Sequence, residues 1–140
     1  MRIVSAAAFS LLCACAAPQG PSDGQQTSGS TSDVALRAEP ATIASGGSMT
    51  LTLDNESGGT IGYNLCASGL EQRSGGGWQP LPENRVCTVE LRTLEPGDEV
   101  SEQLRLPEML TSGDYRYTTT IERLERRGRE RIASSQFRIG

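Results

Sequence analysis

The sequence predicts an all-β fold, an antiparallel β-sandwich of about seven to eight strands, over residues 34–140. Three observations predict it. Apolar and polar residues alternate with a period of two, as in strands with one buried and one solvated face. Turn-forming residues interrupt this pattern at short, regular intervals. The length of the region, about 107 residues, suits one domain with one core.

The first half of this region alternates most regularly. We predict strands at residues 34–39, 47–54, 59–66, 69–73 and 78–81. In the first three, the apolar side chains expected to face the core are Val34, Leu36, Ala38, Met49, Leu51, Leu53, Ile61, Tyr63 and Leu65. Turn signals separate the segments at Gly46-Gly47, Asn55 to Gly59 and Gly75 to Gly77.

The second half continues the pattern, with strands predicted at residues 86–92, 99–106, 114–124 and 130–139. Two of the predicted segments are halves of one hairpin. The residues expected to share buried faces are Val100, Leu104, Leu106, Tyr115, Tyr117, Thr119, Ile121, Phe137 and Ile139. Pro96-Gly97 suits a β-turn, and Pro107 to Leu110 is predicted to form a single helical turn.

The N-terminus has the layout of an export signal. Met1 and Arg2 precede the apolar run Ile3 to Leu12, which is shorter than the roughly 20 residues of a spanning helix. Leu12-Cys13-Ala14-Cys15 resembles the lipobox of bacterial lipoproteins. The resemblance implies a signal peptide over residues 1–14 and a lipid on Cys15. An ordinary secretory signal cut near Ala17 is the alternative.

Residues 15–33 then form the lipidated cysteine and a flexible linker, because they are rich in Gly, Ser, Gln, Thr and Pro and lack apolar periodicity. Ala16 follows the lipidated cysteine, and lipoproteins without Asp there typically reach the outer membrane. We therefore expect a lipid-anchored protein of the cell envelope, at the outer membrane or cell surface rather than the inner membrane.

Cys66 and Cys87 remain after processing and are predicted to form a disulfide, since exported proteins fold in an oxidising compartment. Free thiols or a metal pair are the alternatives, although two cysteines without histidine make a poor metal site. Cys66 is out of phase with Ile61, Tyr63 and Leu65. The disulfide should therefore lie on the outer face or near an edge, unless a bulge shifts the register.

Several stretches, taken in order, resemble small bacterial immunoglobulin-like domains, which often occur on lipoproteins and are related to an intracellular proteinase-inhibitor sandwich. They are Leu51 to Asn55, Ile61 to Cys66, Leu70-Glu71, Gly77-Trp78, Leu94 to Gly97, Leu106-Pro107 and Gly113 to Arg116. The resemblance implies a fold rather than an activity. Tyr115 resembles a tyrosine corner. Trp78 either packs against the sheet or stacks on a ligand.

Composition argues against an enzyme. The chain has no His, and all 13 of its basic residues are Arg, so a Ser-His-Asp, Cys-His or Ser-Lys unit is excluded. The carboxylates are scattered, which disfavours glycoside hydrolysis, and no cofactor or metal site is predicted. Asp54-Asn55-Glu56 either closes a strand or helps to hold Ca²⁺. The net charge of -4 argues against nucleic-acid binding.

The densest charge lies in residues 122–131, where five arginines accompany three glutamates. A self-paired, solvated hairpin is one interpretation. The other is docking to an acidic partner, cell-wall polymer or lipid headgroup. The candidate interaction residues are Trp78, Arg123, Arg126, Arg127, Arg129 and Arg131. We predict a membrane-anchored lipoprotein with a non-enzymatic domain that contacts a protein or another envelope component. The alternative is a protease inhibitor that presents a hairpin turn within residues 75–80 or 126–129.

Overall fold

The structure is a computed structural model that describes residues 33–140, and it is a two-sheet β-sandwich, as predicted. Its strands are β1 (Val34–Glu39), β2 (Thr42–Ile43), β3 (Ser48–Asn55), β4 (Ile61–Tyr63), β5 (Gly69–Ser74), β6 (Gly77–Pro80), β7 (Arg92–Leu94), β8 (Glu99–Arg105), β9 (Gly113–Arg123), β10 (Gly128–Ala133) and β11 (Phe137–Ile139). A short 3-10 helix spans Leu65–Ala67. The predicted signal peptide and nearly all of the predicted linker lie outside the described residues.

The smaller sheet has three antiparallel strands in the order β1-β3-β8. Leu36 pairs with Leu53, and Leu53 pairs with Val100. Alternate side chains of β1 and β3 enter the core, while the others face solvent. The period of two in the sequence therefore corresponds to one buried face of this sheet.

The larger sheet is built around β9, the longest strand. Strands β10 and β11 pair with one side of β9, and β4 and β5 pair with the other. Strands β7, β6 and β2 extend the sheet from β4, β5 and β11. Tyr115 and Tyr117 on β9 stack on Phe137 with ring centroids 6.0 and 5.9 Å apart. These rings face the buried leucines of the smaller sheet.

Ser134 and Ser135 join the two sheets where the last strand is interrupted. Ser134 exchanges two hydrogen bonds with Tyr117: its N–H donates to the Tyr117 carbonyl (2.8 Å), and its Oγ accepts from the Tyr117 N–H (2.9 Å). The Ser135 Oγ accepts a hydrogen bond from the Ala38 N–H at 3.0 Å. Because Ala38 lies on β1, these serines connect the larger sheet to the smaller one.

Two predicted strands are wrong in part. Only Ile61–Tyr63 of the predicted strand 59–66 is extended and paired, because the 3-10 helix turns the chain at Cys66. In the predicted strand 86–92, only Arg92 belongs to a strand. Both departures occur where the Cys66–Cys87 disulfide and side-chain hydrogen bonds hold the chain away from regular pairing.

Three smaller predictions also need correction. The predicted strand 130–139 is interrupted at residues 134–136, where the serines contact β1. Residues 107–110 form a turn without a helix. Strand β2 was missed because it has only two residues, too few for a periodic pattern. The predicted turn at Pro96-Gly97 is confirmed: Gly97 has φ of 83°, and the Asp98 N–H donates to the Glu95 carbonyl.

Candidate functional site

Two arginines of the predicted cluster are engaged in ion pairs within the β9–β10 hairpin. Arg123 pairs with Glu130 at 2.9 Å, and Arg129 pairs with Glu122 at 2.6 Å. Both pairs cross between the two strands. These arginines are therefore tied to their neighbours, as the self-paired interpretation of the hairpin expects.

Arg131 and Trp78 belong to a separate cluster on the outer face of the larger sheet. Glu71 is its centre: its side chain is only 7% exposed and accepts from Arg116 at 2.7 Å and from Arg131 at 2.6 Å. The Arg116 guanidinium lies 4.4 Å from the centre of the Trp78 ring. Trp78 thus makes a cation–π contact with its own sheet, which favours the packing interpretation of this residue. We call Glu71, Trp78, Arg116 and Arg131 the outer cluster.

Arg126 and Arg127, which we call the arginine tip, differ from the other candidates. Both side chains are exposed, and no carboxylate of residues 33–140 lies within 4.0 Å of either guanidinium. Arg127 has φ of 48°, in the left-handed region, which closes the turn before Gly128. Of the six predicted interaction residues, these two are the ones that remain available to a partner.

The arginine tip lies at the same end of the sandwich as several acidic residues. Asp33 and Glu125 line a cleft of about 130 Å³ together with Arg126. Strand pairing brings the loops that carry Glu56 and Glu95 to the same end of the sandwich, and both of these side chains are exposed. This end therefore presents two adjacent cations together with four carboxylates, which we call the acidic rim.

Asp54-Asn55-Glu56 closes a strand. The Asn55 amide donates to the carbonyls of Gly59 and Leu94, both at 3.0 Å, and its Oδ1 accepts from Ser57. Asn55 is thus a buried bridge between two loops, which favours the structural interpretation over Ca²⁺ binding. Within residues 33–140, no group of three or more His, Cys, Asp or Glu side chains is arranged to hold a metal ion.

The Cys66–Cys87 disulfide forms as predicted, with Cα atoms 5.7 Å apart, and it lies at an edge of the larger sheet. It fastens residues 82–91, which we call the stapled segment; the segment has no regular pairing, but exposed and half-buried residues alternate along it as far as Thr88, as they do in an extended chain. Three hydrogen bonds reinforce the attachment: Leu81 N–H to Leu70 O (2.8 Å), Arg85 to Ser68 O (2.6 Å) and the Asn64 amide to Thr88 O (2.7 Å). Val86 and Val89 of this segment are fully exposed.

Beneath the stapled segment lies a buried polar group of atoms. The Arg85 guanidinium carbon is 5.7 Å from the centre of the Tyr117 ring, and Arg85 also pairs with Glu83. The Tyr117 hydroxyl, Ser68 Oγ and Arg85 Nη1 are buried without a hydrogen-bond partner among the described residues. Burial first, and the Glu83 carboxylate second, raise the pKa of Tyr117 to about 12.

The tyrosine corner is confirmed, since the Tyr115 hydroxyl donates to the Thr111 carbonyl at 2.6 Å.

Sequence reasoning missed Glu71, Arg85 and Arg116. The alternation that buries Tyr115 and Tyr117 implied an outward position for Arg116, but its pairing with Glu71 depends on the register of β5 against β9. In residues 33–140, no helix is long and apolar enough to span a membrane.

Comparison with known families supports the resemblance drawn from the sequence. The family model described as Bacterial Ig-like domain matches residues 30–133. That span includes ten of the eleven strands, from β1 to β10. A search of curated proteins finds no match to the chain.

Proposed function

Because the chain belongs to the family of bacterial Ig-like domains, we propose that it is a membrane-anchored lipoprotein whose single domain binds another protein of the cell envelope. The family suits a non-enzymatic interaction domain. The lipobox-like residues around Cys15 support the anchor. The observation that carries the interaction is the arginine tip, where Arg126 and Arg127 project without carboxylate partners in residues 33–140.

The charges around the tip favour a protein over an anionic polymer or lipid surface. The same end of the sandwich carries these two cations and the acidic rim of Asp33, Glu56, Glu95 and Glu125. A uniformly anionic surface would be repelled by that rim, whereas a folded partner can place carboxylates opposite the arginines and cations opposite the rim. Arg also binds carboxylates through two parallel hydrogen bonds, which fixes the orientation of a partner.

In-cell cross-linking of the full-length lipidated protein, followed by mass spectrometry, tests this proposal. The wild type is compared with Arg126→Glu/Arg127→Glu and with a control of equal charge change, Arg73→Glu/Arg105→Glu. We expect one dominant protein to be captured by the wild type and the control and to be lost from the tip variant. Capture of the same protein by the tip variant would remove the arginine tip from the interface.

The anchor is tested separately by cell fractionation. Cys15→Ala removes the proposed lipid acceptor and should release the protein into the soluble fraction. Cys13→Ala is the control, since Cys13 would leave with the signal peptide. If Cys15→Ala remains bound to the membrane, the lipoprotein assignment is wrong.

Inhibition of an envelope protease is the second candidate function. An exposed arginine on a tight turn is the kind of side chain that a protease pocket with a buried aspartate accepts. Inhibition assays with trypsin-like proteases distinguish this role from adaptor binding. An inhibitor would lose potency with Arg126→Glu, whereas an adaptor would not inhibit in either form.

A further inference from the structure

The stapled segment interrupts one edge of the larger sheet. Residues 77–94 run beside residues 61–74, paired as β6 with β5 and as β7 with β4. Between these pairs, the backbone N–H groups of residues 83–90 have no acceptor among the described residues. Unpaired amides on an extended segment form a template on which another strand can pair.

The side chains of the segment fit that role. Val86 and Val89 are fully exposed, and both are β-branched residues that favour strands. The disulfide and the hydrogen bonds from Asn64 and Arg85 already hold the segment extended. Little conformational freedom remains to be lost when a second chain pairs with it, so the ordering cost of binding is low.

A cleft beside the segment adds charge selectivity. It has a volume of about 220 Å³ and is lined by Glu90, Arg92 and Glu102, among others. Glu102 points inward from β8 and is half-buried. No arginine of residues 33–140 lies within 4.0 Å of the carboxylates of Glu90 or Glu102. Arg92 is the one cation among the residues that line the cleft, against two carboxylates, so the cleft keeps a net negative charge that favours a ligand carrying a cation.

We propose that the stapled segment binds an extended segment of a partner protein by strand addition, with an Arg or Lys side chain of that partner in the cleft between Glu90 and Glu102. Backbone hydrogen bonds would supply affinity, and the cleft would supply specificity. This inference rests on the proposed function only in that the partner is a protein. It places the contact on an edge of the sheet rather than at the arginine tip.

Selection from a random-peptide phage library on the full mature chain, with its disulfide intact, tests the proposal. We expect enriched peptides to be rich in Val, Ile and Thr, to contain Arg or Lys and to lack Pro. Glu102→Gln should weaken their binding at least tenfold, whereas the control Glu99→Gln, an exposed residue on the same strand, should not. In an NMR titration, the largest amide shifts should fall within residues 83–91.

Three results would overturn the proposal. They are no enrichment over background, equal binding by Glu102→Gln and Glu99→Gln, and amide shifts that map elsewhere. Val89→Pro is a second variant at an exposed position, and it should abolish binding while the far-ultraviolet circular dichroism stays unchanged. If the free chain already dimerises through residues 82–91, the partner is a second copy and the proposal of a foreign peptide fails.

The failure of this inference is distinguishable from failure of the proposed function. Arg126→Glu/Arg127→Glu should bind the selected peptides as the wild type does, since the tip and the stapled segment share no residues. If Glu102→Gln loses the selected peptides but still captures the partner protein in cells, the physiological interface is confined to the arginine tip. Peptide binding without any in-cell capture would contradict the proposed function and leave the strand-addition site in place.

Discussion

The Glu71 carboxylate should be the most sensitive charged group on the outer face. Glu71→Gln keeps the size of the side chain but removes its charge, and it turns an amide NH₂ toward one of two arginines. Glu71 is 7% exposed, while Arg116 and Arg131 are 27% and 61% exposed. Hydrogen bonds to charged groups contribute roughly 1.5–3 kcal/mol each. Because the Gln oxygen can still accept from one arginine and both arginines can regain water in the variant, we expect a total loss of about 2 kcal/mol, close to the contribution of one such bond.

Glu122→Gln is the matched control, because Glu122 lies on β9 and also pairs with an arginine across the hairpin. Its side chain is 29% exposed and that of its partner Arg129 is 77% exposed. Pairs of this kind contribute at most about 1 kcal/mol and often less. We therefore expect the control to lose less than about 0.5 kcal/mol.

Urea unfolding measures both losses. Trp78, the single tryptophan of the chain, touches Arg116 of the outer cluster and reports unfolding by fluorescence, with circular dichroism as an independent probe. A loss of about 2 kcal/mol is a large part of the 5–15 kcal/mol typical of a domain. Equal midpoints for the two variants would refute the reasoning that burial, and not ion-pair geometry, sets the energy of the Glu71 contacts.

Three further predictions concern the disulfide and two tyrosines. Breaking the Cys66–Cys87 bond, whose cysteines are 21 residues apart, should cost about 3 kcal/mol of unfolding free energy by the chain-entropy argument, as measured in urea with and without reductant. Tyr115→Phe removes the hydrogen bond to the Thr111 carbonyl and should lower stability by about 1 kcal/mol. The raised pKa of Tyr117, about 12 in the fold against about 10 in the unfolded chain, means that the unfolded chain ionises first. The free energy of unfolding should therefore be unaffected by this ionisation below about pH 10 and should fall by up to about 3 kcal/mol as the pH rises to 12. Tyr117→Phe should remove this loss.

Each of these has a clear contrary result. Reduction that changes stability by only a few tenths of a kcal/mol would show that the stapled segment is held by its hydrogen bonds alone. A Tyr115→Phe variant as stable as the wild type would deny the corner an energetic role. If Tyr117 titrates near pH 10 in the folded protein, its hydroxyl is exposed to water.

The alternation of apolar and polar residues located strands well where one face of the strand is buried and the other is exposed to solvent. Strands β1, β3, β8 and β9 lie within one residue of their predicted ends, because each follows the alternation of its own side chains. The pattern failed at residues 64–66 and 86–91. There, Asn64, Arg85 and the disulfide fix the backbone through contacts that are distant in sequence, and no local pattern encodes them.

The candidate site was likewise predicted only in part from the sequence. The excess of arginine in residues 122–131 identified the hairpin, but sequence alone did not separate paired from available side chains. That separation follows from register, which places Glu122 opposite Arg129 and Ile121 opposite Glu130. Arg131 then lies where its guanidinium reaches Glu71 on β5, and only the turn residues Arg126 and Arg127 are left without such neighbours on a strand.

Strand β11 has a consequence for how the domain could be divided. The family match ends at residue 133, yet Phe137 and Ile139 are each 2% exposed in the core. A fragment that stops at residue 133 would lack the ring on which Tyr115 and Tyr117 stack, along with both serines that tie the sheets together. A synthetic peptide of residues 134–140 carries all of these groups. Supplied separately, it should complete the truncated domain, as the last piece of a split protein does.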